Sequence, residues 1–80
     1  MDSRVAVMSI IVENTKSIET LNATLHEFRD YIIGRMGIPY KPKHINIISI
    51  ALDAPQDIVS ALSGRIGNLD GVSVTIAFSK

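Results

Sequence analysis

Few residues of this chain are of types that do chemistry, and their spacing narrows the field further. The densest group is Gly34-Arg35-Met36-Gly37-Ile38-Pro39-Tyr40, followed by Lys41, Lys43 and His44. Two glycines three residues apart in an apolar run imply a bulge or a close approach by backbone or ligand, with Arg35 presenting a charge between them. Two readings stay open: an edge strand blunted against aggregation by Gly, Arg and Pro, or a subunit contact or ligand pocket. Lys41, Lys43 and His44 make a small basic patch, more readily a solvated loop than an anion site. The other histidine, His26, follows Leu25 at the border of an apolar stripe. There is no HxH or HxxxH spacing and no cysteine to complete a ligand set. Both histidines therefore read as surface or boundary residues, and a metal site would have to be assembled between subunits. Asp53 and Asp57 flank the start of an apolar-periodic segment, where carboxylates cap a helix and complement its dipole. Ser63-Gly64 lies inside that segment, lacks the Gly-x-Ser-x-Gly turn of a nucleophile, and reads as a close-packing position. No nucleophile–base pair emerges, so neither an enzyme nor a cofactor is expected.

Composition excludes further classes. Eighty residues make one small domain, spanning 1–80. Eight basic residues offset eight acidic ones, a poor balance for gripping a nucleic-acid backbone directly. The absence of cysteine removes disulfides, iron–sulfur clusters and thiolate zinc sites, and fits a cytoplasmic protein. The longest apolar run, Val5 to Val12, is broken by Ser9 and falls far short of the roughly 20 residues that span a bilayer. Met1-Asp2-Ser3-Arg4 leaves no room for a signal peptide. A domain this small buries only about 60–65% of its unfolded surface. Yet apolar residues are 46% of the chain and the mean hydropathy is +0.26. A second copy covering part of that surface reconciles the two.

The elements that position these residues are written twice. Laid at an offset of forty, RVAVMSIIVE (4–13) matches HINIISIALD (44–53): Val5 meets Ile45, Val7 meets Ile47, Ser9 meets Ser49, Ile10 meets Ile50. The register continues, so that Ile32 to Ile38 overlies Val72 to Phe78. Two copies are too few for a solenoid and suit one domain built from halves 4–40 and 44–80. In the first half, 4–13 is a strand closed by an acidic residue. Asn14 or Ser17 then caps a helix on which Ile18, Leu21, Leu25, Phe28 and Ile32 recur at helical spacing. Glu19, Thr20, Asn22, Thr24, Glu27 and Arg29 form its wet face. A weak strand follows near Tyr31–Ile38, closed by Pro39, and Lys41-Pro42-Lys43 is a loop. In the second half, 45–52 is a strand. Pro55 suits the first helical position, with Asp53 or Ala54 as cap. Ile58, Leu62 and Ile66, with Ala61 beside them, line the helix; Gly67 stops it. Val72, Val74, Ile76 and Phe78 alternate with Ser73, Thr75 and Ala77 as the last strand.

The order β-α-β-β-α-β gives an α+β, ferredoxin-like fold. Its four-stranded antiparallel sheet has order 4-1-3-2, with both helices on one face. One sheet face is then bare. Val5, Val7 and Ile11 point away from Met8, Ile10 and Val12, and Ile45 and Ile47 away from Ile48, Ile50 and Leu52, so both faces of the central strands are apolar. A half-exposed antiparallel sheet should alternate. A homo-oligomer, dimer or tetramer, joined face to face or edge to edge, is expected to cover the second face. The central strands contain no aromatic on which bases could stack. The first strand–helix loop, Glu13-Asn14-Thr15-Lys16, has no Arg to grip an acyl phosphate.

The chain also resembles a known family, the small regulators of the iron-only hydrogenase system. The resemblance rests on Asp30-Tyr31-Ile32-Ile33-Gly34-Arg35-Met36-Gly37-Ile38-Pro39-Tyr40, on Leu52-Asp53-Ala54-Pro55, on Ala61-Leu62-Ser63-Gly64, and on Gly71-Val72-Ser73-Val74. Arg4-Val5-Ala6-Val7 and Ser79-Lys80 extend it over essentially the whole chain. The family is similar in fold to ACT-type regulatory domains and to the sensor domain of the nickel-responsive repressor. That implies a regulatory or sensory role, with a small effector held where a strand–helix loop meets a subunit contact. The candidate positions are Asn14, Thr15, Gly34, Arg35, Gly37, Asp53 and Pro55. The nickel repressor's histidine and cysteine ligands have no counterpart set here. The first loop also lacks the Asp-x-x-Gly or Pro-Gly character usual in ACT domains. Only three residues precede the first strand, so control of transcription is expected to pass through a partner regulatory protein, with no nucleic acid or membrane bound directly. The alternative is a ligand-free structural module for protein interaction.

Overall fold

In the first strand, β1 (Ser3–Val12), Ala6, Met8, Ile10 and Val12 are buried while the residues between them are not. The computed structural model describes residues 2–79. After β1 come a short 3-10 turn (Thr15–Ser17) and helix α1 (Ile18–Glu27), then a second 3-10 turn (Arg29–Tyr31) and strand β2 (Ile32–Tyr40). A third turn (Lys41–Lys43) leads to β3 (Ile45–Pro55), α2 (Gln56–Gly67) and β4 (Val72–Phe78). The sheet is antiparallel throughout, with order β2-β3-β1-β4. Read from the other edge, that is the expected 4-1-3-2.

One core lies between the sheet and the two helices. Ala6, Met8, Ile10 and Val12 of β1, with Ile48, Ile50, Leu52 and Ala54 of β3, meet Leu21 and Leu25 of α1 and Val59, Leu62 and Ile66 of α2. Both helices therefore cover the same sheet face. Truncating any large member of this cluster costs about 2–5 kcal/mol, because the cavity left behind closes only in part. The β1–β3 ladder respects the repeat. Val7 pairs with Ala51, and adding forty to the first and subtracting it from the second gives Ile47 with Ile11, a pair of the same ladder.

Several boundaries differ from the sequence expectation. The apolar stripe through Phe28 and Ile32 does not extend α1: the helix ends at Glu27, and Ile32 opens β2. β2 runs through Pro39 to Tyr40, which an edge strand tolerates because one of its sides has no neighbouring strand to bond. β3 continues past Leu52 to Pro55, so Asp53 and Ala54 are strand residues. Pro55 itself is the N-cap and supplies no side-chain cap bond. On α2, Val59 is buried where Ala61 was expected, and Ala61 is exposed. Thr24 leaves the wet face of α1. It is 4% exposed, and its hydroxyl donates to the Thr20 carbonyl at 2.9 Å, which satisfies it without a partner outside the helix. Gly67 is still helical; the left-handed residue after α2 is Gly71, at φ +70°. Gly64 is not a close-packing position, because a Cβ there would meet nothing within 4 Å.

Candidate functional site

The helix-free face of the sheet carries the exposed apolar residues. On β1 these are Val5, Val7 and Ile11, all at least 36% exposed. On β3, Ile47 pairs with Ile11, and Ile45 shares its face two residues away. β2 adds Met36, Ile38 and Tyr40, which pair with Ser49, Ile47 and Ile45. The opposite edge is different: β4 shows this face only Ser73, Thr75 and Ala77, because Val74, Ile76 and Phe78 turn toward the core.

A bulge explains the asymmetry. Ile32 pairs with Leu52 and Gly34 with Ala51, so Ile33 is an extra residue, 63% exposed. A one-residue slip exchanges the faces of everything beyond it. Past the bulge the correspondence between β2 and β4 becomes thirty-nine rather than forty: Met36 occupies the place of Thr75, and Ile38 that of Ala77. The expected overlay of Ile32–Ile38 on Val72–Phe78 therefore holds for Ile32 alone. Arg35 and Gly37 take the helix side, opposite Ile50 and Ile48. Arg35 reaches α1 and donates to Asn22 Oδ1 at 3.1 Å. Neither Gly34 nor Gly37 has any atom within 4 Å of where its Cβ would be. Of the two meanings of those glycines, the bulge is present, and nothing packs where their side chains would stand.

The first strand–helix loop is fastened to the turn before β4. Asn14 Oδ1 accepts from Lys16 N at 3.0 Å, and its Nδ2 donates to Asp70 Oδ2 at 2.6 Å. Ser17 Oγ donates to the Asp70 carbonyl at 2.7 Å, and Glu13 N to the Gly71 carbonyl at 2.7 Å. Asn14 thus caps the 3-10 turn, and the Ser17 side chain makes no cap bond to α1. Gly71 packs against this loop so closely that a Cβ would lie 2.7 Å from Asn14 Cβ. The second strand–helix loop lies at the other end of the sheet, since Val5 pairs with Asp53 and Ser3 with Pro55. There Arg4 lies 4.7 Å over the Phe78 ring and donates to the Ser79 carbonyl at 2.8 Å. Asn14 and Thr15 are therefore at one end, Asp53 and Pro55 at the other, and Gly34, Arg35 and Gly37 along the β2 edge. The fold does not bring the seven candidates into one cluster.

Sequence reasoning passed over the end of the β2–β3 hairpin. A cleft of about 320 Å³ opens there. It is lined by Pro39, Tyr40 and Ile45 together with the polar residues Thr15, Lys41, His44 and Asn46. Thr15 alone of the candidate residues lines it. The signal available in the sequence was the Lys41–His44 basic patch following Pro39-Tyr40. Elsewhere, Arg65 on α2 holds Glu27 with hydrogen bonds of 2.7 and 3.3 Å and stacks over Phe28 at 5.5 Å, joining the helices on their outer surface. That hydrogen bond, and then the guanidinium charge, lower the Glu27 carboxyl below its ordinary pKa. Among the described residues no group of three His, Cys, Asp or Glu could hold a metal ion. No helix of the described chain is long and apolar enough to cross a membrane.

Comparison with known proteins decides the family. A family model described as "Iron-only hydrogenase system regulator, putative" (TM1266-like) matches residues 4–76. The chain belongs to this TM1266-like family. The uncharacterized protein TM1266 from Thermotoga maritima superposes with a TM-score of 0.95 at 31% identity, over 99% of this chain and 100% of that one. A formyltetrahydrofolate deformylase from Pseudomonas putida matches with a TM-score of 0.65 at 13% identity, over 91% of this chain and 28% of that one, a likeness of fold alone. No curated protein matches the chain. By that description the TM1266-like family is one of regulators.

Proposed function

We propose that this chain is a regulatory module of the iron-only hydrogenase system, working as a homo-oligomer, a dimer or a tetramer, that senses a small effector where copies meet. One observation carries the reading: the helix-free face is apolar across three strands, with Val7 42%, Met36 56% and Ile38 45% exposed. Such a contiguous patch on a small protein marks an interaction surface. Four strands about 4.8 Å apart and some 25 Å long give a face of ~500 Å² in projection, and a standard interface takes ~800 Å² of accessible surface per partner, of which this face supplies the larger part. The family description supports a regulatory role. The balanced charge supports a signal passed to a partner protein rather than to DNA. A second reading, a ligand-free interaction module, is favoured by the first loop, where Asn14 is already engaged by Asp70 and Lys16.

Sedimentation equilibrium at micromolar concentration tests the assembly. Wild type is expected to sediment as dimer or tetramer and Ile38→Lys as monomer; a monomeric wild type overturns the proposal. A thermal-shift panel of amino acids, nucleotides and divalent metals separates the two readings, because a ligand that binds only the folded state raises its melting temperature.

A further inference from the structure

The cleft at the end of the β2–β3 hairpin has the make-up of a ligand site. Its volume, about 320 Å³, lies at the lower end of the range for small-molecule pockets, ~300–1,000 Å³. Apolar walls of Pro39, Tyr40 and Ile45 with a few polar groups at the rim are the usual composition of such pockets. The charge at the rim has one sign. Lys41 brings an amino group and His44 a second group able to donate, while no carboxylate lines the cleft. Thr15 and Asn46 add neutral hydrogen-bonding groups from the β1–α1 loop and from β3.

His44 occupies the left-handed region at φ 54°, the only positive-φ non-glycine among the described residues. Its N–H donates to the Lys41 carbonyl at 3.1 Å, closing the turn. Glycine would make that turn without the strain a Cβ brings to the left-handed region. Here the position bears an imidazole on the cleft wall instead.

The geometry points to this cleft as a binding site for a small organic monocarboxylate, its apolar body against Pro39, Tyr40 and Ile45 and its carboxylate at Lys41 and His44. A free amino acid is a poorer fit than the acid alone, because its ammonium would enter a rim that already carries Lys41 and offers no acidic partner. The inference rests on the sensory reading above for its purpose. It names the chemistry of the effector and places it beside Tyr40, at the margin of the apolar face where copies are proposed to meet.

The probes are phenylacetate, phenylacetamide and phenylalanine, which share a ring and differ in charge. Each is titrated into ¹⁵N-labelled full-length protein, with amide shifts read at Thr15, Tyr40, His44, Ile45 and Asn46. Phenylacetate is expected to give saturable shifts confined to these residues, with the amide and the amino acid at least about fivefold weaker, the size of a charge-assisted contact at a partly exposed rim. Lys41→Ala is expected to abolish the difference between acid and amide. His44→Gly, which relieves the turn and so keeps the fold, is expected to weaken the acid alone. Absence of saturable shifts with phenylacetate, equal binding of the amide, or tighter binding of phenylalanine each overturns the assignment. Sedimentation of the same samples keeps the two proposals apart. An empty cleft in an oligomer sinks only the site, and an occupied cleft in a monomer sinks only the assembly.

Discussion

Ser9 and Ser49 stand directly opposite each other in the β1–β3 ladder, and they are also the two residues that the forty-residue repeat equates. The approximate two-fold axis relating the halves of the molecule therefore passes through this pair. Both serines belong to the helix-free face, with Val7 and Ile11 on either side of Ser9 along β1 and Thr75 beside it on β4. They are small polar groups with Met36 of β2 on one side and Thr75 of β4 on the other.

A charge placed at this point should separate subunits without disturbing the core. Ser9→Lys is expected to weaken self-association by at least about tenfold, because an ammonium carried into an apolar contact loses its hydration unpaired. The melting temperature of the dilute protein should stay within experimental error, since Ser9 is exposed. Sedimentation equilibrium and thermal unfolding, run on the same samples, check both halves of the expectation.

Two glycines should respond to alanine in opposite directions. At Gly64 a Cβ meets nothing and the backbone is helical, so Gly64→Ala should stabilise by about 0.5–1 kcal/mol. At Gly71 the backbone is left-handed, and an added Cβ would lie 2.7 and 2.8 Å from Asn14 Cβ and N. Gly71→Ala should cost about 2 kcal/mol or more and loosen the loop that Asn14 and Asp70 tie down. Urea unfolding of the two variants gives the signs.

The core and the bulge make a second contrast. Leu62 is fully buried, and Leu62→Ala should cost about 2–5 kcal/mol. Ile33 is a larger side chain than alanine by the same measure of hydrophobicity, yet it is 63% exposed at the bulge. Ile33→Ala should change unfolding free energy by no more than about 0.5 kcal/mol. Equal losses at the two positions would mean that Ile33 is covered in solution.

The acid limb of the stability profile has one named contributor. Arg65 depresses the Glu27 carboxyl first through the hydrogen bond and then through its charge. The folded pKa is below the unfolded one. The contribution is therefore complete above the unfolded value and is lost as pH falls through the folded value. The difference in melting temperature between wild type and Glu27→Gln should be largest near neutral pH and vanish in strong acid. With the two side chains 48% and 57% exposed, it should be small and shrink in 0.5 M salt, as screening dictates.

The strand alternation of β1, β3 and β4 and the offset between halves were legible in the residues, because period-two burial writes itself into side-chain types. The opposed faces, Val5, Val7 and Ile11 against Met8, Ile10 and Val12, fall where that alternation puts them. The bulge was legible only in part: Gly34 marked it, but which residue was extra depended on pairing with β3, a long-range matter. Thr24 looked polar by type and is buried because its hydroxyl is satisfied one turn back. The end of α1 was obscured because Phe28 and Ile32 prolong a helical spacing while serving a turn and a strand. The cleft was hidden for a similar reason. Thr15 precedes Tyr40 by 25 residues and belongs to the β1–α1 loop, and only the fold brings it to the hairpin end.

The one extra residue at Ile33 has an effect on the whole particle. Were the duplicated halves equivalent, the outer strands would be interchangeable, and any bond formed at one border would be offered again at the other, which is the recipe for a growing filament. Shifting a single strand by one place makes one border oily and leaves the other small and polar. The molecule thereby acquires two unlike borders, so that a bond suited to one is not offered at the other.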